Sequence, residues 1–371
     1  MKMAANYLLG RCFHCSKKSI GLYISKNIVP VNQPVSMFRA EKCMQALTDC
    51  YLDIFGKNWW EILSHLKQEK WQCALLNKMS PECKQMEDLF EQLGAEKVHL
   101  HNFQREGENS VANLNDDISV YKFGSKIFDP PSMYLDSNGK MKYYLLDMSS
   151  MIPVLSLGIQ PSELVLDMCA APGGKSLAIL MLMLGDWQLI SNEYDKSRLK
   201  RLHKVLREYV PNRRLQKVKI TNLNGIKFGE HEPNTFDRVL LDAPCSSDRH
   251  LIQDDFRMAG WSVKKSREFA KLQKELLVSA LRTVKVGGVV VYSTCTLSQI
   301  ENDDVISPGT QQAYERFGIK TKIVDLSSSV KAFGGNAFFL SQYAKLGCLV
   351  LPTPMQNWGP MYTSKLIKLS D

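Results

Sequence analysis

The sequence predicts an α/β protein in which a Rossmann-like, doubly wound domain follows a mainly helical N-terminal extension. From about residue 143 onward, short apolar segments with strand character alternate with longer segments of helical periodicity. This alternation is typical of a parallel sheet with helices on both faces. Residues 40–100 instead carry apolar side chains at helical spacing, and residues 101–140 are polar and rich in turn signals.

The individual elements follow from local patterns. In the extension, Leu47, Tyr51 and Ile54 recur at helical spacing, and Trp59 and Leu63 continue the pattern. In the domain, strands are predicted at 164–168, 188–192, 218–221, 238–241 and 289–293, and helices at 174–184, 196–209 and 262–284. Each distinctive motif lies at the carboxyl end of one of these strands, where doubly wound sheets bind their ligands.

Composition and charge narrow the class of protein. The chain has 371 residues, of which 44% are hydrophobic and 23% charged, as in ordinary globular proteins. No apolar run approaches the roughly 20 residues that a membrane-spanning helix needs. The net charge is +9, but residues 1–40 contain six cations and no acid. Removing these six from the 47 cations leaves 41 against 38 acids, a balance of only +3.

The basic, acid-poor segment 1–39 is typical of a mitochondrial targeting sequence. A basic arm that contacts nucleic acid is the alternative interpretation. The ten cysteines of the chain are scattered, which favours free thiols in a reducing compartment. Cys12 and Cys15 form the one CxxC pair, and because no second pair stands at zinc spacing, no metal site is predicted.

The first motif runs from Asp167 through Pro172-Gly173-Gly174-Lys175 and joins a strand to a helix. Glycines there let backbone approach a ligand, and the free N–H groups of the helix N-terminus suit a carboxylate. A Walker A loop is excluded because its first glycine would stand at Cys169. The G-x-G-x-x-G dinucleotide pattern is also absent.

Three further elements follow later strands. Glu193 ends the second strand, where an acid commonly binds ribose hydroxyls, although a solvated surface glutamate is the alternative. Cys245 follows Asp242-Ala-Pro, and Cys295 follows Ser-Thr, each just beyond a strand. A single cysteine is usually a small buried apolar residue. Two cysteines at neighbouring strand ends instead indicate a pair that takes part in nucleophilic chemistry, and a redox pair is the alternative interpretation.

Taken together, DMCAAPGGKS, LLDAPCSSD and YSTCT resemble the Nop/Sun family of RNA 5-methylcytosine methyltransferases. The resemblance covers residues 143–371, which it implies are an S-adenosylmethionine-dependent methyltransferase domain. Residues 40–142 then form the extension, and 1–39 the targeting segment.

The resemblance also implies roles for individual residues. Cys295 is the expected nucleophile, Cys245 assists elimination, and Asp242 faces both the pyrimidine edge and the cofactor. The residues expected to bind S-adenosylmethionine are Gly173, Gly174, Lys175, Glu193, Arg198, Asn224, Gly225 and Asp242. Two of them depart from the family pattern. Glu193 replaces the commoner Asp, and Asn224 replaces the Asp that more commonly precedes the glycine of this turn.

Tyr143-Tyr144-Leu-Leu-Asp147, Asp248-Arg249-His250 and the tail from Asn357 to Tyr362 resemble the family branch that acts on mitochondrial small-subunit rRNA. That resemblance implies a mitochondrial matrix protein that supports ribosome assembly with a helical-repeat partner of the termination-factor type. Two alternatives remain, namely methylation of mitochondrial tRNA and an assembly role in which binding matters more than catalysis. Either would leave the fold prediction unchanged.

Overall fold

A computed structural model describes residues 37–98, 118–123, 135–334, 339–340, 343–354 and 357–371. The helices are α1 (Met37–Phe55), α2 (Asn58–Lys67), α3 (Cys83–Gln92), α4 (Met151–Ser156), α5 (Gly174–Leu182), α6 (Lys196–Tyr209), α7 (Asn212–Leu215), α8 (Phe228–His231), α9 (Asp248–Ile252), α10 (Asp255–Met258), α11 (Val263–Thr283), α12 (Asp303–Phe317) and α13 (Ser327–Gly334). The strands are β1 (Cys73–Leu76), β2 (Glu96–Val98), β3 (Val120–Lys122), β4 (Tyr143–Leu146), β5 (Leu164–Asp167), β6 (Gln188–Asn192), β7 (Val218–Thr221), β8 (Phe236–Asp242), β9 (Val284–Thr294), β10 (Lys320–Val324), β11 (Phe339–Leu340), β12 (Cys348–Leu351) and β13 (Met361–Ser370). Within these ranges, no helix has the length and apolar character needed to cross a bilayer.

The large sheet confirms the predicted doubly wound topology. Its parallel part has the order β7-β6-β5-β8-β9. The direction of winding therefore reverses between β5 and β8, and this reversal opens a crevice at their carboxyl ends. Asp167 and Asp242 are the last residues of these two strands. The fold thus places the first and third sequence motifs side by side.

Side-chain alternation along the central strands separates two core layers. Val165 packs with Leu177 of α5 and Leu202 of α6 on one face of the sheet. The next residue, Leu166, packs with Leu277 of α11 on the other face. Helices therefore cover both faces of the sheet, and its carboxyl edge is where the polar side chains of the central strands are reached.

Helix α6 shows how local sequence sets an element beside the site. The Asp195 carboxylate accepts hydrogen bonds from the backbone N–H groups of Ser197 and Arg198, both at 2.8 Å, and so caps the helix. Leu202, Leu206 and Tyr209 are buried at helical spacing. The cap fixes the start of α6 directly after Glu193.

Helices α1 and α2 confirm the helical prediction for the first part of the extension. Leu47, Tyr51 and Trp59 are buried in the same apolar layer as α11. The prediction of helix through to residue 100 was wrong for β1 and β2, which belong to a four-stranded antiparallel sheet of order β2-β3-β1-β4. Strand β1 is a continuous apolar run of four buried residues, too short to show any periodicity.

Two predicted boundaries differ from the observed elements. Strand β4 pairs with β1, so the small sheet continues past the boundary predicted between 142 and 143. Helix α1 begins at Met37, inside the predicted targeting segment. The rest of that segment, residues 1–36 with Cys12 and Cys15, lies outside the described residues.

The C-terminal part of the large sheet is antiparallel, which the predicted parallel pattern did not include. Strand β13 pairs antiparallel with β9, and also with β10 and β12. Thr363, Ser364 and Lys368 are buried on this strand, so its sequence lacks the apolar run of a buried strand. An internal strand with these polar residues is recognisable only once its neighbours are in place.

Candidate active site

The turn between β5 and α5 is shaped by two glycines that have different functions. Gly173 has φ 118°, a backbone conformation that L side chains rarely adopt. A Cβ on Gly173 would lie 3.0–3.2 Å from Val205 and Leu202, and one on Gly174 would lie 2.6 Å from Cε1 of Tyr144. Gly173 therefore allows the close approach of α6, whereas Gly174 makes room for the Tyr144 ring.

A cavity of about 180 Å³ lies at the carboxyl ends of β5 and β8. Its lining includes Lys70, Tyr144, Asp167, Gly174, Lys175 and Asp242. Two of these, Lys70 and Tyr144, precede β5, so the extension and the small sheet contribute to the wall of the cavity. The lining does not include Gly173, Glu193, Arg198, Asn224 or Gly225, so the predicted cofactor residues form two groups.

Asp167 lies at the base of the cavity and is completely buried. Its Oδ2 accepts a hydrogen bond from the Ser176 hydroxyl at 2.6 Å, and its Oδ1 has no hydrogen-bond partner. Burial raises the pKa of Asp167 to about 7. An unpaired buried carboxylate oxygen in a cavity wall suits a ligand that carries a donor or a positive charge.

Lys175 and Asp242 join the cavity to the cysteine pair. Lys175 Nζ donates to Asp242 Oδ2 at 2.8 Å, and the Ser293 hydroxyl donates to Asp242 Oδ1 at 2.8 Å. Burial disfavours the charged form of Lys175, but the nearby Asp242 carboxylate outweighs this and raises the pKa of the ammonium. The ion pair therefore fixes the orientation of Asp242 beside Cys295.

Glu193 and Arg198 lie beyond the end of β6. Glu193 is buried, and its Oε1 accepts the backbone N–H of Asp195 at 2.9 Å. Arg198 lies 3.4 Å from Oε2 and donates to the Ala171 carbonyl at 2.7 Å. Burial raises the pKa of Glu193, and Arg198 opposes that shift. Oε2 is buried and faces Arg198 without a hydrogen bond, so the predicted ribose-binding acid keeps an acceptor atom that no hydrogen bond occupies.

Asn224 and Gly225 form the turn after β7. The Asn224 side chain accepts the N–H of Ile226 at 3.1 Å and so caps a short 3₁₀ turn. A Cβ on Gly225 would lie 2.7 Å from Leu276 and 3.4 Å from Met168, the residue that follows β5. The turn therefore packs directly against the β5 end of the crevice.

The two predicted cysteines are brought together. Cys245 Sγ and Cys295 Sγ lie 3.4 Å apart, although 50 residues separate them in sequence. Ser247 Oγ lies 3.2 Å from Cys295 Sγ and 3.6 Å from Cys245 Sγ. Ser247 has a positive φ of 59°, which is uncommon for a residue other than glycine and typical of functional turns.

The two thiols differ in acidity. The hydrogen bond from Cys245 lowers the pKa of Cys295 below its usual value, and a second bond from Ser247 adds to the shift against the effect of burial. The same bond to Cys295, together with burial, raises the pKa of Cys245 well above its usual value. Cys295 is therefore the more acidic thiol of the pair, and Cys245 is placed to donate a hydrogen bond to the Cys295 thiolate.

Sequence reasoning did not single out Ser247, Lys70 or the contact of Tyr144 with Gly174. The Cys-Ser-Ser sequence after Pro244 is the one local signal for Ser247. Lys70 lies on the loop between α2 and β1, where nothing in the sequence connects it to the cavity. Of the predicted residues, Asp242, Cys245 and Cys295 lie at or just beyond strand ends, whereas Lys175 and Arg198 lie in the first turns of α5 and α6.

Residues 154–366 match the family model described as 16S rRNA methyltransferase RsmB/F. This chain belongs to that family. The match contains every predicted site residue, and it agrees with the resemblance to the Nop/Sun enzymes. The chain is therefore a member of a methyltransferase family of the S-adenosylmethionine-dependent type.

The curated relatives of this family member include proteins named as rRNA methyltransferases and proteins named as tRNA methyltransferases. The "5-cytosine rRNA methyltransferase NSUN4" of Xenopus tropicalis is 42% identical over 267 residues, which is 70% of this chain and 65% of the relative. The mitochondrial "tRNA (cytosine(34)-C(5))-methyltransferase" of Danio rerio is 34% identical over 324 residues, covering 86% of this chain and 85% of the relative. The chain thus spans slightly less than two thirds of the frog NSUN4.

Solved structures share the fold of this family member. A methyltransferase homologue from Pyrococcus horikoshii superposes with a TM-score of 0.61 at 24% identity, covering 90% of this chain and 99% of that protein. NSun6 from the same organism, crystallised with SFG, superposes with a TM-score of 0.60 at 18% identity over 88% of this chain and 98% of that protein. These similarities extend to the extension as well as to the doubly wound domain.

Proposed function

We propose that this protein transfers a methyl group from S-adenosylmethionine to carbon 5 of a cytosine in RNA through a covalent adduct with Cys295. The observation that carries the proposal is the pair of thiols 3.4 Å apart, with the pKa of Cys295 lowered and that of Cys245 raised. When two thiols lie within hydrogen-bond distance, ionisation of the first is stabilised by the proton of the second, so the pair is poised to supply one thiolate. The difference between the two thiols is what a nucleophile and its proton-handling neighbour require.

The residues around the crevice fit the methyl donor. The cavity beside Gly174 has a buried, unpaired carboxylate oxygen on Asp167, and Glu193 has a second buried oxygen without a hydrogen bond. A ligand with an ammonium group and ribose hydroxyls would satisfy such acceptors. Gly174 and Lys175 would hold the amino-acid end, and Glu193, Arg198 and the turn at Asn224-Gly225 the nucleoside. When bound, the donor supplies an electrophilic methyl group.

Cys295 starts the reaction at the base. Carbon 5 of cytosine is a weak nucleophile, but addition of the Cys295 thiolate to carbon 6 shifts the ring electrons and makes carbon 5 enamine-like. The lowered pKa of Cys295 keeps the sulfur in its reactive form near neutral pH. The partial exposure of both cysteines allows a base to reach them.

Asp242 binds the pyrimidine edge, because its carboxylate can accept a hydrogen bond from the cytosine amino group, or from N3 once that nitrogen carries a proton. Its carboxyl group is held by Lys175 and Ser293 at 2.8 Å each, so it needs no reorganisation when the base binds. Asp242 also lines the donor cavity, which puts it at the boundary between the two substrates. This position suits a group that orients the pyrimidine edge toward the methyl donor.

Cys245 completes the reaction after methylation. The proton on carbon 5 must leave, and the bond between Cys295 Sγ and carbon 6 must break to restore the aromatic ring. Once Cys295 is bound to carbon 6, it no longer acts on Cys245 as a thiolate, and the main cause of the raised pKa of Cys245 is removed. Cys245 can then ionise and accept the carbon 5 proton.

The proposed substrate is mitochondrial small-subunit rRNA, methylated in the matrix in support of ribosome assembly. The family description and the NSUN4 relative support rRNA. Exposed cations on α6 and at the start of α11 offer RNA-binding surface, namely Lys200, Lys204, Lys264 and Arg267. Residues 1–39 would direct the chain to the organelle, and a helical-repeat protein of the termination-factor type would be its partner.

Mitochondrial tRNA is the second candidate substrate. The tRNA methyltransferase of Danio rerio matches 86% of this chain, against 70% for the frog rRNA enzyme, so the longer match favours tRNA. Both substrates would use the same cysteine chemistry. The two candidates differ only in how the RNA is presented to the crevice.

The test is transfer of tritiated methyl groups from S-adenosylmethionine to purified mitochondrial small-subunit rRNA and mitochondrial tRNA in parallel. Cys295→Ala is the control. Labelled 5-methylcytosine in rRNA with the wild type alone would support the proposal, and label only in tRNA would establish the second candidate. No label in either RNA, with and without the helical-repeat protein, would contradict the catalytic proposal and favour an assembly role.

A further inference from the structure

Beneath the two cysteines lies a buried hydrogen-bond network that none of the proposed chemical steps uses. Its central residue is Asp248, which is completely buried three residues after Cys245. Asp248 Oδ2 accepts three hydrogen bonds, from Thr296 Oγ1 at 2.8 Å, the Leu297 backbone N–H at 2.6 Å and the Tyr51 hydroxyl at 2.7 Å. Two of these donors follow Cys295 directly in sequence, so Asp248 connects the two cysteine loops.

The Cys245 loop is held from both sides. Gln273 of α11 donates to the Pro244 carbonyl at 2.8 Å, and Glu301 Oε2 accepts the backbone N–H of Ser246 at 2.9 Å. Gln273 and Glu301 are themselves 3.2 Å apart and fully buried. The residues on either side of Cys245 are thus fixed by side chains from two other elements.

The Cys295 loop is held in the same manner. Asn302 accepts the Thr294 hydroxyl at 2.6 Å and donates to the Thr296 carbonyl at 3.0 Å, so it spans the cysteine. Each loop therefore has its own clamp, and Asp248 is one of three side chains that link the two loops directly. The others are Ser246, whose hydroxyl donates to Thr296 Oγ1 at 2.8 Å, and Ser247, whose hydroxyl lies 3.2 Å from Cys295 Sγ. A distance of 3.4 Å between two thiols needs such a link, because each loop follows a different strand of the sheet.

Tyr51 brings the N-terminal helix α1 into this network. It is 197 positions from Asp248 and packs against Phe55 and Trp59 with ring centroids 5.8 and 4.9 Å away. Burial and the Asp248 carboxylate raise the pKa of Tyr51 well above its usual value, so the phenol remains a donor. The hydroxyl is therefore a fixed third hydrogen-bond donor to Asp248 Oδ2, beside Thr296 and the Leu297 backbone N–H.

We propose that Asp248 is a positioning residue that fixes the Cys245 and Cys295 loops relative to each other, and that Tyr51 couples this network to the helix α1. The segment before the small sheet is then part of the catalytic unit. Loss of the Tyr51 hydroxyl would leave Asp248 one donor short, and the separation of the thiols would increase. The hydrogen bonds that lower the pKa of Cys295 would lengthen as a result. This inference rests on the proposed role of Cys295.

The experiment compares Tyr51→Phe and Asp248→Asn in the full chain with the control Tyr121→Phe. Tyr121 is also buried and donates to a carboxylate, Glu91 Oε1 at 3.2 Å, but that bond lies within the small sheet and α3. Tyr51→Phe is the decisive variant because it keeps the aromatic ring and removes one oxygen. If the Asp248→Asn variant folds, it perturbs the hydrogen-bond network more strongly than Tyr51→Phe does, because it changes the carboxylate that accepts all three hydrogen bonds.

Two measurements are made at a temperature where all variants are folded. The first is the pH dependence of iodoacetamide labelling at Cys295, mapped by mass spectrometry without RNA. The charged groups that act on Cys295, namely Asp242, Lys70 and Lys175, are unchanged in every variant. The second is steady-state methyl transfer, with kcat and the KM for S-adenosylmethionine determined separately.

We expect Tyr51→Phe to move the Cys295 labelling midpoint to higher pH and to lower kcat about tenfold, the effect of losing one hydrogen bond to a charged group. The KM for S-adenosylmethionine should not change, and Tyr121→Phe should match the wild type. Equal labelling profiles and equal kcat in Tyr51→Phe and Tyr121→Phe would overturn the inference. If the wild type itself transfers no methyl group, the proposed function fails, while the labelling profile still decides whether Asp248 positions the thiols.

Discussion

Replacing Gly174 with alanine tests the packing of the predicted donor loop. The added Cβ would lie 2.6 Å from Cε1 of Tyr144, and ordinary contact begins at 3.4 Å, so the ring or the start of α5 must move by about 0.8 Å. Gly174 does not have a positive φ, so the cost is steric rather than conformational. Tyr144 cannot easily move because it packs edge-on against the buried Tyr209 with centroids 5.4 Å apart.

We expect Gly174→Ala to lower the free energy of unfolding by about 1–3 kcal/mol, the usual cost of overpacking. Donor affinity should fall as well, because Gly174 and Tyr144 both line the cavity. Chemical denaturation and calorimetric titration with S-adenosylmethionine measure the two effects. Gly260→Ala is the matched control, since its nearest neighbour is the flexible end of Lys265 at 3.1 Å.

A second substitution shows whether Tyr144 is the cause. Tyr144→Leu in the Gly174→Ala background removes the atom in conflict and should recover part of the lost stability. The steric reasoning would be refuted if Gly174→Ala unfolded and bound the donor like the wild type. It would also be refuted if Tyr144→Leu lowered the free energy of unfolding equally in the wild type and in the Gly174→Ala variant, because the two residues would then act independently.

Four further predictions follow from the cysteine pair and its surroundings. Cys295→Ala should abolish methyl transfer without changing the affinity for S-adenosylmethionine, and calorimetry showing weaker donor binding would contradict a purely nucleophilic role. Cys245→Ala should accumulate a denaturant-resistant protein–RNA adduct on gels, because elimination is slowed; wild-type release would rule out its proposed role. The methyl-transfer rate should rise with pH and level off above the pKa of Cys295, which its hydrogen bonds lower to about 7 from the usual 9.0, and a midpoint near 9 would show that the lowering is absent. Burial raises the pKa of Glu301 from 4.5 to about 7, so its contribution to stability is complete below 4.5 and is lost as pH rises through 7. The free energy of unfolding should therefore decline from pH 5 to 8 in the wild type and decline less in Glu301→Gln.

The parallel part of the fold was predictable because its signals are local. Strand β6 and helix α6 have the predicted bounds, since a buried strand and a capped amphipathic helix each show their pattern within one element. Strand β1 could not be distinguished from a helical segment, because four apolar residues support either interpretation. Strand β13 was missed because it buries polar side chains such as Thr363 and Lys368.

The site shows the same division. The sequence by itself determined that Asp242, Cys245 and Cys295 follow strands, because the apolar runs before them end there. Parallel strands align their carboxyl ends at one edge, so the three residues had to lie near one another. The resemblance to the RNA methyltransferases added roles for these residues.

Only the tertiary structure decided the distances and the partners. The 3.4 Å between the thiols, the Ser247 bridge and the bond from Tyr51 to Asp248 join residues that lie up to 197 positions apart. It also showed that Gly173 packs against α6, whereas Gly174 accommodates Tyr144. Such contacts depend on which helix covers which face and on how loops pack. Local patterns do not carry that information, because a hydrogen bond depends on the positions of both partners.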